Sequence, residues 1–470
     1  EDHYFGTVKP KVAAYMHDLD VELWKLGIPA KTKHNEVAPA QHELAPVFDT
    51  TNVAVDHNQL TMEIMKKVAD KHDLVCLLHE KPFEGINGSG KHNNWSMITD
   101  DGVNLLDPGK TPSENIQFLV FLMAVIKAVD EYADLLRISV ASAGNDHRLG
   151  ANEAPPAVVS IFLGDELTEV LKSIENDTYF TSHGAVQMDI GATVLPHFVK
   201  DNTDRNRTSP FAFTGNKFEF RMLGSAASVA NPNIVLNTAV AEALDQFAKE
   251  LDGVAPEDME HAVHELIKRA IKKHKRVIFN GNGYTDEWIE EAEKRDLYNL
   301  KSTPDALPMW IAQKNIDLFT KHSIFTSEEL HSRYEIWLEN YSKTINIESN
   351  TMVEMVQKDL LPSVMSYIEE IASTASLKAS VVPGITCESE TALITKLSGL
   401  QDAMTKGLEK LKADTAKARA TEDILENAKL YQSEVLEDME ELRKSADEAE
   451  TLIPDDLLPY PTYGKLLFYI

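Results

Sequence analysis

Apolar residues recur along this chain with two different periods. Over residues 1 to about 250, short β-branched and aromatic runs are mixed with helical stretches. From about 254 to 450 the helical period dominates, and glycine becomes scarce after Gly283. Lys9 to Gly27 predicts a helix. Leu60 to His72 predicts another, with Leu60, Ile64, Met65 and Val68 on one face. Leu74 to Leu78 reads as a short buried strand, and Ile86 to Gly90 as a tight turn. Ser113 to Leu136 predicts a long apolar helix, Ala157 to Phe162 a strand, and Asn233 to Leu251 a helix. Phe211 to Met222 alternates like a strand.

Further on, Ala255 to Lys273 and Thr351 to Ser373 predict amphipathic helices. Leu397, Leu400, Met404, Leu408 and Leu411 recur at steps of three and four, and Thr415 and Ala418 continue the series. A second seam runs through Ile424, Ala428, Tyr431, Val435, Met439 and Leu442, with Thr421 to Asp423 as the turn between. This pattern predicts a helical hairpin over about 390–450. Its plain reading is structural, and a regulatory partner surface is the sharper alternative.

Charge narrows the function. Against 46 Lys and Arg stand 75 Asp and Glu, a net charge of −29. Phosphate backbones and anionic lipid surfaces are held by basic patches, so no nucleic acid and no membrane surface is expected as partner. No apolar run approaches the ~20 residues of a membrane span; the best stretch, Phe118 to Val129, is interrupted by Lys127. The only cysteines, Cys76 and Cys387, exclude a disulfide framework and fit the reducing cytoplasm. The chain opens at Glu1 without Met and soon runs through Tyr4 and Phe5 like the middle of a domain, which leads us to expect a missing N-terminal part.

Four clusters carry chemistry. The first is His34-Asn35-Glu36 with Gln41-His42-Glu43. Glu36 and Glu43 are hard oxygen ligands suited to Mg²⁺ or Mn²⁺. Their odd separation puts them on opposite faces of one extended strand, whereas an irregular loop could aim both at one place. The second is Gly85 to His92. It imitates a phosphate-binding P-loop, but His92 stands where Ser or Thr would ligate the metal, and Asn93 and Asn94 do not open an apolar helix. Its glycines allow close backbone approach, and His92 is a capable metal ligand. The third is Arg148 followed by Glu153-Ala154-Pro155-Pro156, where proline favours a loop. The fourth is Asp204-Arg205-Asn206-Arg207-Thr208, followed by Lys217, Glu219 and Arg221, which share one face if they lie on a single strand. Alternating cation and carboxylate there suit an anionic substrate with a metal, or simply pair with each other.

Together the clusters resemble the glutamine synthetases, and among them the long class III enzymes. Asn35 to Glu43 resembles the family's metal-binding stretch, and Lys81-Pro82 with Asn87-Gly88-Ser89-Gly90-Lys91-His92 its glycine-rich signature. Asn206-Arg207-Thr208 resembles its phosphate-contacting segment, and Glu219-Phe220-Arg221 the motif that closes the site. The stretch 165–204 and the helical tail look like class III features. The resemblance implies an α+β fold with a curved, mainly antiparallel sheet backed by helices. The catalytic domain would span 1–252, partial at its N-terminus, and a mostly helical extension 253–470. The implied reaction joins ammonia to glutamate with ATP as substrate, through γ-glutamyl phosphate.

The resemblance also assigns roles. Glu36, Glu43, His92 and Glu219 would ligate two or more Mg²⁺ or Mn²⁺ ions. Asn87, Gly88, Arg148 and Arg221 would hold the amino acid, with Tyr4 bordering the ammonium site. Arg207 would stabilise the γ-phosphoryl group, and Glu153 would close over the intermediate and take a proton from ammonium. Ser96, Asn94 and Lys217 would face the nucleotide alongside Arg207. The complete protein is expected as a dodecamer of stacked hexameric rings. The family's β-grasp part and a strand with two further Glu ligands are expected N-terminal to Tyr4, so this stretch alone is expected to be inactive. Asn94 replaces a usual His, and Lys217 replaces a usual Arg, reducing a bidentate contact to a point charge. Rival readings are a glutamate–amine ligase, a guanidino-type phosphotransferase and a catalytically inactive interaction protein.

Overall fold

Pro10 pre-sets the backbone for α1 (Pro10–Lys25), whose Leu19 and Leu23 pack with Ile28 and with Val68 of α2 (Thr51–Lys71) in a small core of their own. Helix α2 thus begins well ahead of Leu60. Between these helices the chain folds into an antiparallel hairpin, β1 (Ala30–Asn35) with β2 (His42–Pro46), in which His34 faces Glu43. The Glu36 N–H donates to the Gln41 carbonyl at 2.9 Å, closing the connecting loop. This computed structural model describes residues 4–467, apart from 82, 89, 179–186, 189–197 and 200–205. Pro82, Ser89, Asp204, Arg205 and much of the 165–204 stretch therefore lie outside the described residues.

The expected buried strand at Leu74 to Leu78 is not one. No ladder pairs the segment among the described residues, and Val75 and Leu77 are 82% and 75% exposed. The central sheet has the order β3-β8-β7-β4, from β3 (Lys91–Trp95), β4 (Ile161–Phe162), β7 (Phe211–Phe213) and β8 (Phe218–Leu223); a separate pair, β5 (Gln187–Met188) and β6 (Phe198–Val199), lies between them in sequence. β3/β8 and β8/β7 are antiparallel, and β7/β4 is parallel. The expected single strand over Phe211 to Met222 is therefore a hairpin, folded at the turn where Thr214 N–H donates to Lys217 O at 2.8 Å. Every residue of β7 and β8 is buried. Phe211 stacks on Phe218 at 4.7 Å and meets Phe220 edge-on.

Helices α3 (Ile116–Glu131) and α7 (Ala230–Leu251) meet the sheet through Phe118 on Phe213 and through Asn233 and Asn237, and α8 (Met259–His274) packs on α3. The expected long helix from Ser113 to Leu136 breaks at Tyr132, whose backbone leaves the helical region, and resumes as α4 (Ala133–Ile138). Asp130 anchors α3 by pairing with His274 and Arg276, each at 2.7 Å. Helices α5 (Ala143–Asp146), α6 (Asp165–Glu175), α9 (Asp286–Lys294), α10 (Thr303–Ala306) and α11 (Gln313–Lys321) complete this unit, which spans residues 1–331.

The second unit, 332–470, is helical. It holds most of α12 (Ser327–Met355), followed by α13 (Leu361–Val381), α14 (Glu388–Ala420), α15 (Ile424–Leu430) and α16 (Leu436–Glu450). A π-turn at Val356–Leu360 precedes Pro362, which has no N–H to give, and another at Tyr431–Val435 joins α15 to α16. Leu397, Met404, Leu408, Leu411, Thr415 and Ala418 are buried on α14, which packs against both α13 and α16, and Thr415 shares a hydrogen bond with Ser349 of α12 at 2.7 Å. Asp423 caps α15 by accepting from the Leu425 and Glu426 N–H groups. Among the described residues, no helix is long and apolar enough to cross a membrane.

Candidate active site

The β1–β2 hairpin brings the first cluster together. His34 Nδ1 lies 3.5 Å from Glu36 and Nε2 lies 3.2 Å from Glu43, and the ligand atoms of the three fall within 4.8 Å of one another. Parity along one extended strand does not apply, because the chain turns back between the two glutamates. Burial, reinforced by Glu43, raises the Glu36 carboxyl to about 7, and Glu153 is close enough to add to the effect. Carboxylates crowded beside an imidazole are a donor set that fits a hard divalent cation, whose charge would relieve their repulsion. The Tyr4 ring meets His34 edge-on at 5.7 Å.

The second cluster forms across β3 and β8. The period-2 pleat turns Asn93 and Trp95 towards α7, where they bond Asn233 and Asn237, and leaves His92 and Asn94 on the open face. Asn94 pairs with Glu219 across the ladder. His92 Nδ1 is 3.0 Å from Glu219 Oε1, and Arg221 is 2.7 Å from Oε2. Burial pushes the Glu219 carboxyl up, but His92 and Arg221 outweigh it and hold it down to about 2. Lys217 precedes β8 in the hairpin turn, so only Glu219 and Arg221 share a strand face. Ser96 Oγ donates to the Asn216 carbonyl of that turn at 3.1 Å and to Asn104 at 2.7 Å.

Glu153 lies within electrostatic reach of Glu36 and is bonded to Arg207, whose neighbour Asn206 holds Arg221. Arg207 Nη1 donates to the Glu153 carboxylate at 2.8 Å, and Arg221 donates to the Asn206 carbonyl. Gly88 N–H donates to Asn152 O at 3.2 Å, and Gln41 donates to Glu80 O at 3.1 Å. A Cβ on Gly88 would run into the Glu80 carbonyl, so only glycine fits. Asn87 is half-buried beside it. Arg148 is placed differently from Arg207. Its side chain is 1% exposed and is spent on Glu80, Asn145 and the carbonyls of Arg221 and Leu223. Its Nη1 is left buried without a hydrogen bond among the described residues.

The catalytic-domain model of glutamine synthetase matches residues 2–159, and the glutamine synthetase C-terminal domain model matches 262–378. Over its whole length the chain is 60% identical to a glutamine synthetase of Butyrivibrio fibrisolvens, covering 67% of that protein. This chain belongs to the glutamine synthetase family. A type-3 glutamine synthetase of Dictyostelium discoideum is 46% identical, with 64% of it covered, and a glutamine synthetase of Bacteroides fragilis 40%, with 65% covered. The chain thus spans about two thirds of the length of these relatives.

Sequence reasoning gave no role to four residues of this glutamine synthetase cleft. His34 completes the first donor set; its signal was the two-residue step to Glu36. Glu80 is buried against Arg148 at 3.1 Å and accepts from the Ser225 N–H at 2.9 Å. Lys81 reaches the carbonyls of Ile86 and Asn152, and burial holds its ammonium down to about 8. Tyr284 lies against Glu153 from an Asn- and Gly-rich loop that showed no chemical pattern.

Proposed function

We propose that the complete protein makes glutamine from glutamate, ammonia and ATP. A γ-carboxylate oxygen of glutamate attacks the γ-phosphorus of ATP, ADP leaves, and the product is γ-glutamyl phosphate. Ammonia then attacks the acyl carbon, and phosphate leaves with the electron pair of the broken C–O bond. Supporting this reading is one observation: Arg207 pairs with Glu153 at 2.8 Å, and that carboxylate lies within electrostatic reach of Glu36 in the His34, Glu36 and Glu43 donor set.

Each group has a task in that scheme. Glu36 and Glu43, with His34 beside them, would hold one divalent cation, and His92 and Glu219 another. When bound, such ions offset the mutual repulsion of carboxylate and phosphate. Arg207 is 77% exposed apart from its bond to Glu153, so its guanidinium is free to swing onto the transferring phosphoryl group. Glu153 takes the proton that ammonium must lose before it can attack, and excludes water above the acyl phosphate. Asn87 and Gly88 hold the amino acid, while Arg221 stands at the junction of Glu219 and Asn206 to meet its carboxylate. Arg148 shapes the floor beneath them. Ser96, Asn94 and Lys217 lie towards the turn end of β3 and β8, the place for the nucleotide. As implied by the family resemblance, the complete protein assembles as stacked hexameric rings and works in the cytoplasm. The test is an assay of the complete protein with Mg²⁺ or Mn²⁺: glutamine should form only when ATP, glutamate and ammonium are all present. ATP turnover with a larger amine but none with ammonium would overturn the assignment.

A further inference from the structure

Glu153 stands on a turn whose backbone its side chain disfavours. Asn152 and Glu153 are consecutive non-glycine residues in the left-handed region, with φ of 53° and 69°. Asn visits that region readily, whereas Glu stays there only where its surroundings hold it. The Lys81 ammonium donates to the Asn152 carbonyl and, at 3.2 Å, to the Ile86 carbonyl. The Gly88 N–H donates to the same Asn152 oxygen at 3.2 Å. The peptide between the two left-handed residues is therefore tied to the loop that carries Asn87 and Gly88. Within the turn, Gly150 N–H donates to the Pro155 carbonyl at 3.0 Å and Ala154 N–H to the Ala151 carbonyl at 3.1 Å, so these amides report whether it opens.

The Lys81 side chain starts from a fixed base. Glu80 before it is buried, lies 3.1 Å from Arg148 and accepts from the Ser225 N–H at 2.9 Å, and its carbonyl accepts from Gln41 at 3.1 Å. The Lys81 N–H itself donates to His79 Nδ1 at 3.0 Å. The carboxylate end of Glu153 is held differently, by Arg207. The main chain around Arg207 is stitched to the 280–283 loop: Asn206 Nδ2 donates to the carbonyls of Asn280 at 3.3 Å and Gly281 at 2.7 Å, and Gly283 N–H donates to Thr208 Oγ1 at 2.8 Å. The Arg207 guanidinium is nonetheless at the surface, and in the ligase reading it leaves Glu153 for the phosphoryl group. The bonds to the Asn152 carbonyl, from Lys81 and Gly88, remain when it does.

We propose that Lys81 is a positioning residue for Glu153: its ammonium pins the Asn152–Glu153 turn to the Ile86–Gly88 loop, so that the acid keeps its place when Arg207 moves away. The kinetic consequence rests on the ligase reading above; the structural one does not. In the ligand-free complete protein, Lys81→Met should speed hydrogen exchange of residues 150–154 on the order of tenfold, while β8 and α3 keep their protection. Lys91→Met is the control, because it removes another part-buried ammonium, one bonded to the Ala227 carbonyl, and should leave 150–154 unchanged. Unchanged exchange at 150–154 in Lys81→Met, or equal acceleration by Lys91→Met, overturns the proposal. Should Lys81→Met loosen β8 and α3 as well, Lys81→Gln decides, since it keeps a polar head that stops one bond short of the carbonyls: faster exchange confined to 150–154 supports the proposal, and none overturns it. In turnover, a displaced Glu153 admits water, which attacks the acyl carbon of γ-glutamyl phosphate; phosphate leaves and glutamate is returned. Lys81→Met should raise ADP released per glutamine at least about twofold and lower kcat for glutamine on the order of tenfold, with KM for ATP within about twofold. A protein that is merely less stable has fewer active molecules, each still spending one ATP per glutamine, so a ratio that stays at one overturns the positioning role. A wild-type protein that makes no glutamine refutes the ligase reading and leaves the exchange comparison to decide by itself.

Discussion

His92 Nδ1 stands 3.0 Å from one oxygen of Glu219, and the other oxygen takes the Arg221 guanidinium at 2.7 Å. One carboxylate thus serves a cleft-facing imidazole and a buried cation at once. Removing it leaves the Arg221 guanidinium buried without its counter-charge, a change that costs about 3–5 kcal/mol. Glu219→Ala should therefore destabilise the metal-free protein by about that much in denaturant unfolding. The His92 side chain is 30% exposed, and without it the buried Glu219 carboxylate keeps Arg221 as its counter-charge. His92→Ala should shift stability by less than about 1 kcal/mol while still weakening Mn²⁺ binding. Equal destabilisation by the two variants would contradict this division of labour.

The hairpin cluster makes a separate claim. Glu36 and Glu43 meet only because β1 turns back into β2, with His34 directly opposite Glu43. Calorimetric titration of the complete protein with Mn²⁺ should show Glu36→Gln and Glu43→Gln each lowering affinity at least about tenfold. His34→Ala tests whether the imidazole is a third ligand: it should lower affinity by a similar factor. Mn²⁺ binding indifferent to all three substitutions would remove the cation from this hairpin.

The glycine-rich segment predicts a sharp contrast. A Cβ on Gly88 would collide with the Glu80 carbonyl, and one on Gly90 with the Leu223 carbonyl, both backbone atoms with little room to yield. Gly144 in α5 has nothing within 4 Å of where its Cβ would be. Gly90→Ala and Gly88→Ala should each cost more than about 3 kcal/mol, as overpacking against fixed backbone does. Gly144→Ala should be neutral or stabilising by about 0.5 kcal/mol, through the unfolded state. Urea midpoints of the three variants decide the matter.

These cases show what the sequence could reveal. The α14 seam was legible because its residues at steps of three and four fall on one buried stripe of the helix. His92 and Glu219 were legible as chemistry, since each residue type has few other uses beside glycines and arginines. Leu74 to Leu78 misled because a short apolar run does not by itself secure a neighbour to pair with; Val75 and Leu77 face outwards. The break at Tyr132 was hidden because α3 and α4 are buried nearly all round, leaving no polar stripe to slip out of register. Arg148 and Arg207 look alike in sequence, and only the structure shows one buried against Glu80 and the other exposed at Glu153. The stitching of the 280–283 loop to Asn206 and Thr208 had no signal, because it depends on packing between segments some seventy residues apart.

Two lysines beside this site predict a pH dependence of stability. Burial holds Lys81 and Lys91 down to about 8 from an ordinary 10.5. Between these values the unfolded chain binds more protons than the folded one, so stability must rise with pH across that window. Below about 8 both states are protonated and the penalty is constant. Tyr132, pushed up to about 12 by burial and neighbouring carboxylates, works in the opposite sense above pH 10, because there the folded state keeps the proton. The gain should therefore be read between pH 8 and 10. Both lysines keep some contact with solvent, so the gain should be of order 1 kcal/mol each after screening. Lys91 also donates to the Ala227 carbonyl, and Lys81 to Asn152 and Ile86, so methionine at either position loses bonds as well as charge. The double variant Lys81→Met, Lys91→Met should flatten the rise in denaturant-derived stability between pH 8 and 10, whatever its offset. A wild-type curve that falls across this interval would show that neither ammonium is disfavoured by folding.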